Sequence, residues 1–304
     1  MALYRQVTEQ MAGQVESGLL APGAQLPSIR ETARRYDTTT ATVSRAYREL
    51  ADAGVIDVRD RARSTVAAAG PAAARRLLGG QVTLRVAGSD DPALDLAVSA
   101  AGTSVITIGE KGSFQGLTRL WHGTADAAAI HLPHRSGVAN KPFATTVLRD
   151  RQPVVIHLWR REQGLLTPAG NPDRISGPAD LQRLRVARRT FGTGTRVLLD
   201  QLLSQSGIRP DHVTGPEAES HLEVAMTIST GQADTGLGVR AVAAAMDLDF
   251  IPAAWEDFDL VLSGSTLPAA EPLIAVLRDE RVQSSVAALG GYDLTKTGIV
   301  EMLA

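Results

Sequence analysis

Three segments of the sequence place a serine or threonine beside glycine, at a point where an extended apolar run gives way to a helical pattern. The residues concerned are Ser89, Ser113, Thr193, Gly194 and Thr195. The start of a helix offers free backbone N–H groups and the positive end of the helix dipole, both of which favour a bound anion. Any one junction taken alone is better explained as an ordinary helix cap. Three junctions together predict a pocket for a small anion.

The run that contains Thr193 and Thr195 does not match the common nucleotide-binding loops. The letters GTGTR are not followed by Gly-Lys-Ser/Thr, and the third glycine of a dinucleotide fingerprint is missing. His131 and His134 are close in sequence, but Pro133 separates them and no nearby carboxylate completes a metal site. The sequence contains no nucleophile elbow and no His-Glu-x-x-His motif. We therefore expect no cofactor, no metal and no enzymatic activity.

The segments that would position these junctions alternate between strand-like and helical patterns. Strand-like runs are found at Val82–Ala87, Val105–Ile108, Val154–Leu158 and Leu184–Ala187. Alternation of this kind predicts an α/β domain in which helices cover a sheet.

The length of 304 residues is about twice that of a common domain, so two domains are expected. Residues 67–81 are rich in Ala and Gly and lack an amphipathic period, which is typical of a linker. We predict one domain at 1–68, a linker at 69–81 and a second domain at 82–304.

Composition excludes several classes of protein. The 31 basic and 33 acidic residues give a net charge of −2, so any contact with nucleic acid must be local. The sequence has no cysteine, which fits a reducing compartment. No apolar run approaches the ~20 residues needed to cross a bilayer, and the first residues do not form a signal peptide. These features predict a cytoplasmic protein without a membrane partner.

The first 66 residues contain three short helical patterns followed by a hairpin. Ser28 stands three residues before Glu31, the spacing of a capping box, so the second helix begins near Ser28. The polar turn at 37–39 separates it from a third helix, whose apolar face carries Val43 and Leu50. This order of elements predicts a helix-turn-helix with a basic wing after Gly54.

The polar face of these helices and the wing carry groups suited to DNA. Hydroxyl groups and guanidinium groups can contact base edges in a major groove and the phosphates beside it. The candidate DNA-binding residues are Ser28, Arg30, Arg34, Thr40, Thr42, Ser44, Arg45, Arg48, Arg59, Arg61 and Arg63. The alternative is a three-helix interaction module whose arginines form a solvated face.

The N-terminal segment LPSIRETARRYDTTTATVSRAYRELADAGVID, with the wing ending in STV, resembles the GntR family of bacterial winged-helix regulators. The resemblance implies an α+β winged-helix domain that binds double-stranded operator DNA, usually as a homodimer. The wing tip RDRAR departs from the family because it lacks the usual glycines.

Residues 84–299 resemble the periplasmic-binding-protein-like domain related to molybdate-binding proteins. The resemblance is carried by runs such as GSFQGLTRLWHGTADAAAIHL, LWRREQGLLTPAGNP and GGYDLTKTG. It implies an α/β two-lobed type II fold, with ligand held in a cleft and the lobes joined by crossing strands at about 157–166 and 250–256. The implied ligand-binding residues are Ser89, Asp90, Ser113, Gln115, Thr193, Gly194, Thr195, Arg196, Thr230, Asp234 and Glu256.

The resemblance leaves the ligand open between two chemical classes. A molybdate-, tungstate- or sulfate-like oxyanion would suit hydroxyl and backbone donors. However, the expected Asn-Arg before GTGTR is Arg188–Arg189, and Asp90–Asp91 place two acids beside the first junction. Because these acids can bind an amino group, an organic zwitterion is one alternative, and a sulfonate is another.

Together the two halves predict a one-component transcriptional repressor, in which a small anionic effector changes the geometry of a homodimer on double-stranded DNA. Two other classes remain as rivals. One is an enzyme that uses Arg196 and Glu256 in the cleft, and the other is a small-molecule binding protein whose N-terminal module only dimerises.

Overall fold

The computed structural model describes residues 3–58, 63–79 and 83–303, apart from the side chain of Glu110. The N-terminal part is a winged helix. Its elements are α1 (Leu3–Glu16), α2 (Ile29–Arg35), α3 (Thr40–Asp52), β1 (Ile56–Asp57) and β2 (Thr65–Val66). The two strands pair in antiparallel fashion. The tip of the wing, with Arg59 and Arg61, lies outside the described residues.

The helix starts follow from local hydrogen bonds. The Ser28 hydroxyl accepts the Glu31 N–H, and a Glu31 carboxylate oxygen accepts the Ser28 N–H at 2.7 Å, which confirms the predicted capping box. Tyr47 of α3 is buried, and its hydroxyl donates to the Pro27 carbonyl oxygen at 2.8 Å. This bond ties α3 to the start of α2, so the two helices are held at a constant angle.

The segment predicted as a linker contains a helix, α4 (Gly70–Leu77). Ala73 and Ala74 of α4 are fully buried in the same core as Val15 of α1. Gly70 permits this approach, because a Cβ there would lie 2.7 Å from the Val55 carbonyl oxygen. The linker prediction is therefore wrong for residues 70–77. The helix begins with Gly70 and Pro71, which are typical of turns, although Pro is also common in the first turn of a helix.

The C-terminal part is built on a ten-stranded mixed sheet covered by helices. Its strands are β3 (Leu84–Gly88), β4 (Val105–Lys111), β5 (Ala127–Ile130), β6 (Pro153–Thr167), β7 (Val186–Arg189), β8 (Glu217–Ala218), β9 (Thr235–Val239), β10 (Asp249–Ser263), β11 (Tyr292–Asp293) and β12 (Val300–Met302). Its helices are α5 (Pro92–Ala101), α6 (Ser113–Trp121), α7 (Lys141–Val147), α8 (Gly194–Gln205), α9 (His221–Ser229), α10 (Arg240–Ala245), α11 (Leu267–Arg278) and α12 (Glu280–Ala288).

Two long antiparallel strands, β6 and β10, run through both halves of this domain. One half of β10 pairs with β5, whereas the far half of β6 pairs with β9. The strands therefore divide the domain into lobe 1 (residues 83–160 and 257–303) and lobe 2 (residues 161–256). This architecture confirms the predicted two-lobed α/β fold and its pair of crossing strands.

Each lobe has its own apolar core. In lobe 1, Val86, Phe258 and Leu273 belong to one buried cluster beneath α5 and α11. In lobe 2, Val224 and Leu237 are buried on opposite faces of the sheet. Because β3, β4 and β7 end at the boundary between the lobes, the loops that follow them face the cleft.

Candidate functional site

The three predicted glycine junctions converge at the boundary between the lobes. Ser89 follows β3 and Ser113 begins α6, and their hydroxyl oxygens are 2.8 Å apart. The Ser113 hydroxyl also accepts the His131 N–H at 3.2 Å. Gly194 brings the start of α8 onto His131, since a Cβ at this position would lie 2.6 Å from the ring Nδ1. Only glycine allows the two lobes to approach this closely here.

Arg161 of β6 lies at the centre of a buried polar cluster. Its side chain is fully buried and donates from Nε to Glu256 and from Nη1 to Asp91, each at 2.7 Å. Nη1 also donates to the Asp90 carbonyl oxygen at 3.1 Å, and the guanidinium group lies over the ring of Phe258. Burial opposes the charge, but Glu256 and Asp91 outweigh it and raise the pKa of Arg161.

The Glu256 carboxylate connects Arg161 to two further polar side chains. Gln163 donates its amide N–H to Oε1, and the Nδ1 atom of His131 lies 2.9 Å from Oε2. Although burial alone would raise it, the pKa of Glu256 is lowered to about 2 by His131 and Arg161. Burial lowers the pKa of His131, so its ring is neutral at pH 7 and donates from Nδ1 to the carboxylate.

Arg189, at the carboxyl end of β7, connects lobe 2 to lobe 1. Its Nη2 atom donates to the Asp90 carboxylate and to the Glu219 carbonyl oxygen, each at 2.8 Å. The backbone N–H of His221 donates to the other Asp90 oxygen at 3.1 Å. Burial would raise the pKa of Asp90, but the neighbouring His221 and Arg189 outweigh it and lower the pKa. Asp90 thus bridges the lobes as a charged group.

We call this set of residues the cleft cluster; it comprises Asp90, Asp91, His131, Arg161, Gln163, Arg189, Thr195, His221 and Glu256. Several of its polar atoms have no hydrogen-bond partner within the described part of the chain. These atoms are Arg161 Nη2, Gln163 Oε1, Arg189 Nε, Thr195 Oγ1 and both ring nitrogens of His221. All five side chains belong to residues that are at most 2% exposed. An unpartnered buried polar group costs about 1–3 kcal/mol, so several side by side indicate a place for a ligand.

A cavity of about 700 Å³ lies at the mouth of the cleft, outside the cleft cluster. Lys111 and Arg119 line it from lobe 1, and Glu219 and Glu223 line it from lobe 2. Gln115 spans the lobes beneath it by donating to the Phe191 carbonyl oxygen at 3.3 Å. The mouth therefore presents charges of both signs to anything that enters.

The structure brings most of the predicted ligand-binding residues to the boundary between the lobes. Those in or beside the cleft cluster are Ser89, Asp90, Ser113, Gly194, Thr195 and Glu256, and Gln115 lies at the mouth. Thr193 has a different task, because its hydroxyl caps α8 by accepting the Arg196 N–H. It faces its own helix start rather than the unpartnered atoms.

The structure does not bring three predicted residues to the cleft cluster. The Arg196 side chain pairs with Asp200 one turn later on α8, at 3.0 Å. Asp234 precedes β9 and pairs with Arg185, which precedes β7, so both lie at the amino ends of parallel strands, away from the cleft. Thr230 is exposed at the end of α9, where its hydroxyl donates to the Met226 carbonyl oxygen. The family resemblance implies all three residues, but each of their side chains pairs within lobe 2.

Sequence reasoning missed Arg161, Gln163, Arg189 and both cluster histidines as ligand-facing residues. One signal was present in the strand VVIHLWRREQGLL. Arg161 and Gln163 are two positions apart and therefore share a face of β6. A charged and a polar residue on one face of a strand indicate either a solvated surface or a buried network. The burial that distinguishes these two cases comes from both lobes, since Arg161 pairs with Asp91 of lobe 1 and with Glu256 of lobe 2.

The described candidate DNA-binding residues of the winged helix are all at least partly exposed. Arg48 is exposed on α3, and the Arg45 guanidinium lies 3.8 Å from the centre of the Tyr4 ring of α1. Thr42 is hydrogen-bonded to Thr39 at 2.9 Å. The remaining described candidates are partly or fully exposed, namely Ser28, Arg30, Arg34, Thr40, Ser44 and Arg63. Of these, Ser28 serves as the cap of α2, and Arg63 lies 3.7 Å from Glu31.

Over residues 3–58, 63–79 and 83–303, no helix combines the length and apolar character needed to span a bilayer. In the same residues no group of three or more acidic or histidine side chains is arranged to hold a metal ion.

Comparison with known proteins assigns both halves. Residues 96–278 match the family described as PBP superfamily domain, and residues 3–66 match the gntR family of bacterial regulatory proteins. The uncharacterized protein YvgK of Bacillus subtilis is 32% identical over 195 residues, 62% of this chain. The chain spans 63% of the length of YvgK. The HTH-type transcriptional repressor YtrA of the same organism is 40% identical over 55 residues, 18% of this chain and 42% of YtrA.

A solved structure supports the same fold. The sulfate-binding protein SubI of Mycobacterium tuberculosis superimposes with a TM-score of 0.52 and 14% identity, covering 69% of this chain and 85% of SubI. At this identity the likeness concerns the fold alone. The chain therefore belongs to the PBP superfamily through its two-lobed domain and carries a gntR-family winged helix at its N-terminus.

Proposed function

We propose that the protein is a transcriptional repressor that binds double-stranded DNA through α3 and the wing, and a small anionic effector in the cleft cluster. The observation that carries the proposal is the set of buried, unpartnered donor atoms on Arg161, Arg189 and Thr195. Donors removed from water are suited to anion oxygens, because a charge-assisted hydrogen bond is roughly twice as strong as a neutral one. SubI, whose fold is similar, is described as a sulfate-binding protein, and YtrA as a repressor.

A line of ion pairs offers a route between the cleft cluster and the winged helix. Arg75 of α4 lies 3.2 Å from Glu16 of α1 and 3.6 Å from Asp126 of lobe 1. Asp126 in turn pairs with Arg85 at 2.9 Å, near the start of β3. Because β3 ends next to Ser89, a shift at the cleft would be transmitted along one strand. Coupling of ~1–3 kcal/mol would change DNA occupancy ~5–150-fold.

The protein would act as a homodimer, in line with the two-fold symmetry of most operators. The measurement is sedimentation of the full chain with and without DNA. A chain that remains monomeric on DNA would contradict this part of the proposal.

The cavity at the mouth favours a second candidate for the effector. Its volume of about 700 Å³ suits an organic molecule, and its lining carries both Lys111 and Glu219. An organic zwitterion or sulfonate could place its anionic group in the cleft cluster and its remaining groups in this cavity.

The DNA-binding role can be tested with the full chain. A duplex is first selected by the protein from a random-sequence pool, and its affinity is then measured for the Arg45→Ala and Arg48→Ala variants. We expect each variant to lose at least about tenfold in DNA affinity, since each removes a cation that can contact DNA. Arg281→Ala, which removes an exposed arginine from α12, is the matched control. Unchanged DNA affinity in both variants would favour a binding protein or an enzyme that uses the cleft.

A further inference from the structure

The carboxylates of the cleft cluster are occupied by the protein itself. Both oxygens of Asp90 accept hydrogen bonds, from Arg189 and from the His221 backbone. Arg161 and the first N–H groups of α5 occupy those of Asp91. Arg161, Gln163 and His131 do the same for Glu256. The carboxylate oxygens are therefore already hydrogen-bonded, and a different set of atoms is left for a ligand.

The chemistry of the side chains decides which atoms of that set are donors. Arg161 Nη2 and Arg189 Nε can only donate, because a guanidinium group has no acceptor. The Thr195 hydroxyl, in the first turn of α8, can add a further donor. These atoms require acceptor oxygens on the ligand.

The same set also contains acceptors. The Gln163 amide nitrogen donates to Glu256, which directs the amide oxygen the other way, and this buried oxygen has no partner among the described residues. Burial and the charge of Arg189 place the pKa of His221 well below its usual value, so the ring is neutral. A neutral imidazole carries one N–H and one lone pair. Gln163 and His221 thus present two acceptors that a ligand can satisfy only with hydrogens.

Gln163 and His221 both lie at the carboxyl end of β9 in lobe 2. Gln163 of β6 is opposite Val239 of β9, next to Gly238. The His221 Nδ1 atom lies 3.7 Å from the position that a Cβ on Gly238 would take.

Shared partners bring each acceptor beside an arginine. Gln163 and Arg161 donate to the same Glu256 oxygen, and the His221 backbone N–H and Arg189 donate to the Asp90 carboxylate. Arg161 also donates to the Asp90 carbonyl oxygen, so both pairs border Asp90.

We propose that the effector is an anion that also carries a hydrogen-bond donor, with acceptor oxygens directed at the arginines and an –OH or –NH group directed at Gln163 and His221. Hydrogen phosphate, a phosphonate monoanion and a small hydroxy or amino acid have this chemistry. Sulfate, molybdate and tungstate lack a proton at neutral pH and leave both acceptors unpaired. The inference rests on the proposed anion site and narrows its ligand class.

Matched pairs of anions test this inference on the full chain. Calorimetry at pH 7.5 compares hydrogen phosphate with sulfate, hydrogen arsenate with molybdate, and lactate with propionate. An unpaired buried acceptor weakens binding by about 10- to 100-fold, so the donor-bearing member of at least one pair should bind more tightly by that factor. The inorganic and organic pairs separate a protonated oxyanion from an organic acid.

The Gln163→Met variant tests which residue distinguishes donor-bearing anions from the others. Gln163→Met removes the acceptor at similar size, and we expect the affinity ratio within the preferred pair to fall at least fivefold. Tyr292→Phe is the control, because it removes a hydroxyl that donates to Asp91 without removing an acceptor from the ligand. It should leave the ratio unchanged even if both affinities fall.

The outcomes separate the two proposals. If sulfate or molybdate binds as tightly as its partner, the donor requirement is wrong and the anion site stands. If no anion of either kind binds, the anion site fails and the inference falls with it. If the affinity ratio within the preferred pair is unchanged in a folded Gln163→Met variant, Gln163 is not the acceptor of the ligand's hydrogen.

Discussion

The two-lobed domain contains two polar networks that differ in whether all their buried polar atoms have a partner. In lobe 1, the His157 network consists of His157, Asp259, Asn140, Glu301 and Lys141. His157 lies 2.8 Å from Asp259 and 3.3 Å from Glu301 through its two ring nitrogens. The Asn140 side chain accepts the Leu132 N–H and donates to Asp259. No side-chain atom of this network is among the buried unpartnered atoms found in the described residues.

The cleft cluster is equally well connected but leaves five side chains with unpartnered atoms, as far as the described residues go. A satisfied network stabilises one structure, whereas a partly satisfied network is costly unless something binds to it. The His157 network joins elements within a single lobe, and the cleft cluster joins two lobes. If the proposed function is right, the first network serves folding and the second serves recognition.

The largest expected effect is on stability and lies in the His157 network. Asn140→Ala should lower the free energy of unfolding by about 3 kcal/mol, because it removes the partners of the Leu132 N–H and Asp259 and strains a backbone with φ of 57°. Urea denaturation measures the loss. Asn140→Gly relieves the strain and separates the two contributions. Effector affinity should stay unchanged in both variants, and a loss of affinity without a loss of stability would reverse the roles of the networks.

A smaller and opposite effect is expected for Thr195. Thr195→Val removes an unpartnered buried hydroxyl, so the free energy of unfolding should stay the same or rise. Affinity for the anion that most raises the melting temperature should fall about tenfold. Calorimetry and thermal denaturation check both values. Thr193→Val is the matched control two residues away, and it should cost about 1 kcal/mol of stability as a lost helix cap.

The histidines of the two networks should respond to pH with opposite signs. Hydrogen bonding to Asp259 raises the pKa of His157, so its contribution to stability is full below about pH 6.5 and is lost as pH rises through the raised folded-state pKa. Burial lowers the pKa of His131, so that residue destabilises the fold as pH falls below about 6.5.

Denaturant titrations from pH 5 to 9 check these signs. The stability difference between the wild type and His157→Gln should shrink as pH rises. For His131→Gln, the same difference should shrink as pH falls. A difference that does not depend on pH in either variant would contradict the assigned pKa direction.

The smallest expected effect concerns the ion pairs between the domains. Arg75→Met should leave effector affinity intact and reduce the effect of effector on DNA affinity by about two- to fivefold, because partly exposed ion pairs contribute ~1 kcal/mol or less. DNA binding to a selected duplex with and without effector measures the change. Arg76→Met changes the neighbouring residue of α4 and serves as the control. If effector changes DNA affinity equally in both variants, contacts other than the Arg75 ion pairs connect the cleft to the winged helix.

The fold was largely predictable from local patterns. The capping box at Ser28, the alternation of strands and helices after residue 84, and the glycine junctions each involve residues within a few positions of one another. Such patterns reflect backbone hydrogen bonding and helix or strand periodicity, which act over short distances along the chain. Helix α4 was missed because Gly70 and Pro71, with which it begins, are also typical of turns.

The content of the site was less predictable. The serine and threonine residues at the junctions were found because each lies beside its glycine. The cation at the centre, Arg161, was missed, because its partners Asp91 and Glu256 are 70 and 95 positions away in the chain. Arg196 belongs to the same motif as the junction threonines, but it pairs with Asp200 one turn later on α8 and not with a ligand-facing group.

Short-range order in the amino-acid chain suffices to establish a winged helix, a two-lobed sheet and turns that face a cleft. Folding in three dimensions decides which polar atoms are buried without a partner, and with it what the cleft can recognise. The reason is that burial and the pairing of charges depend on side chains from both lobes, and these meet only after the strands have crossed.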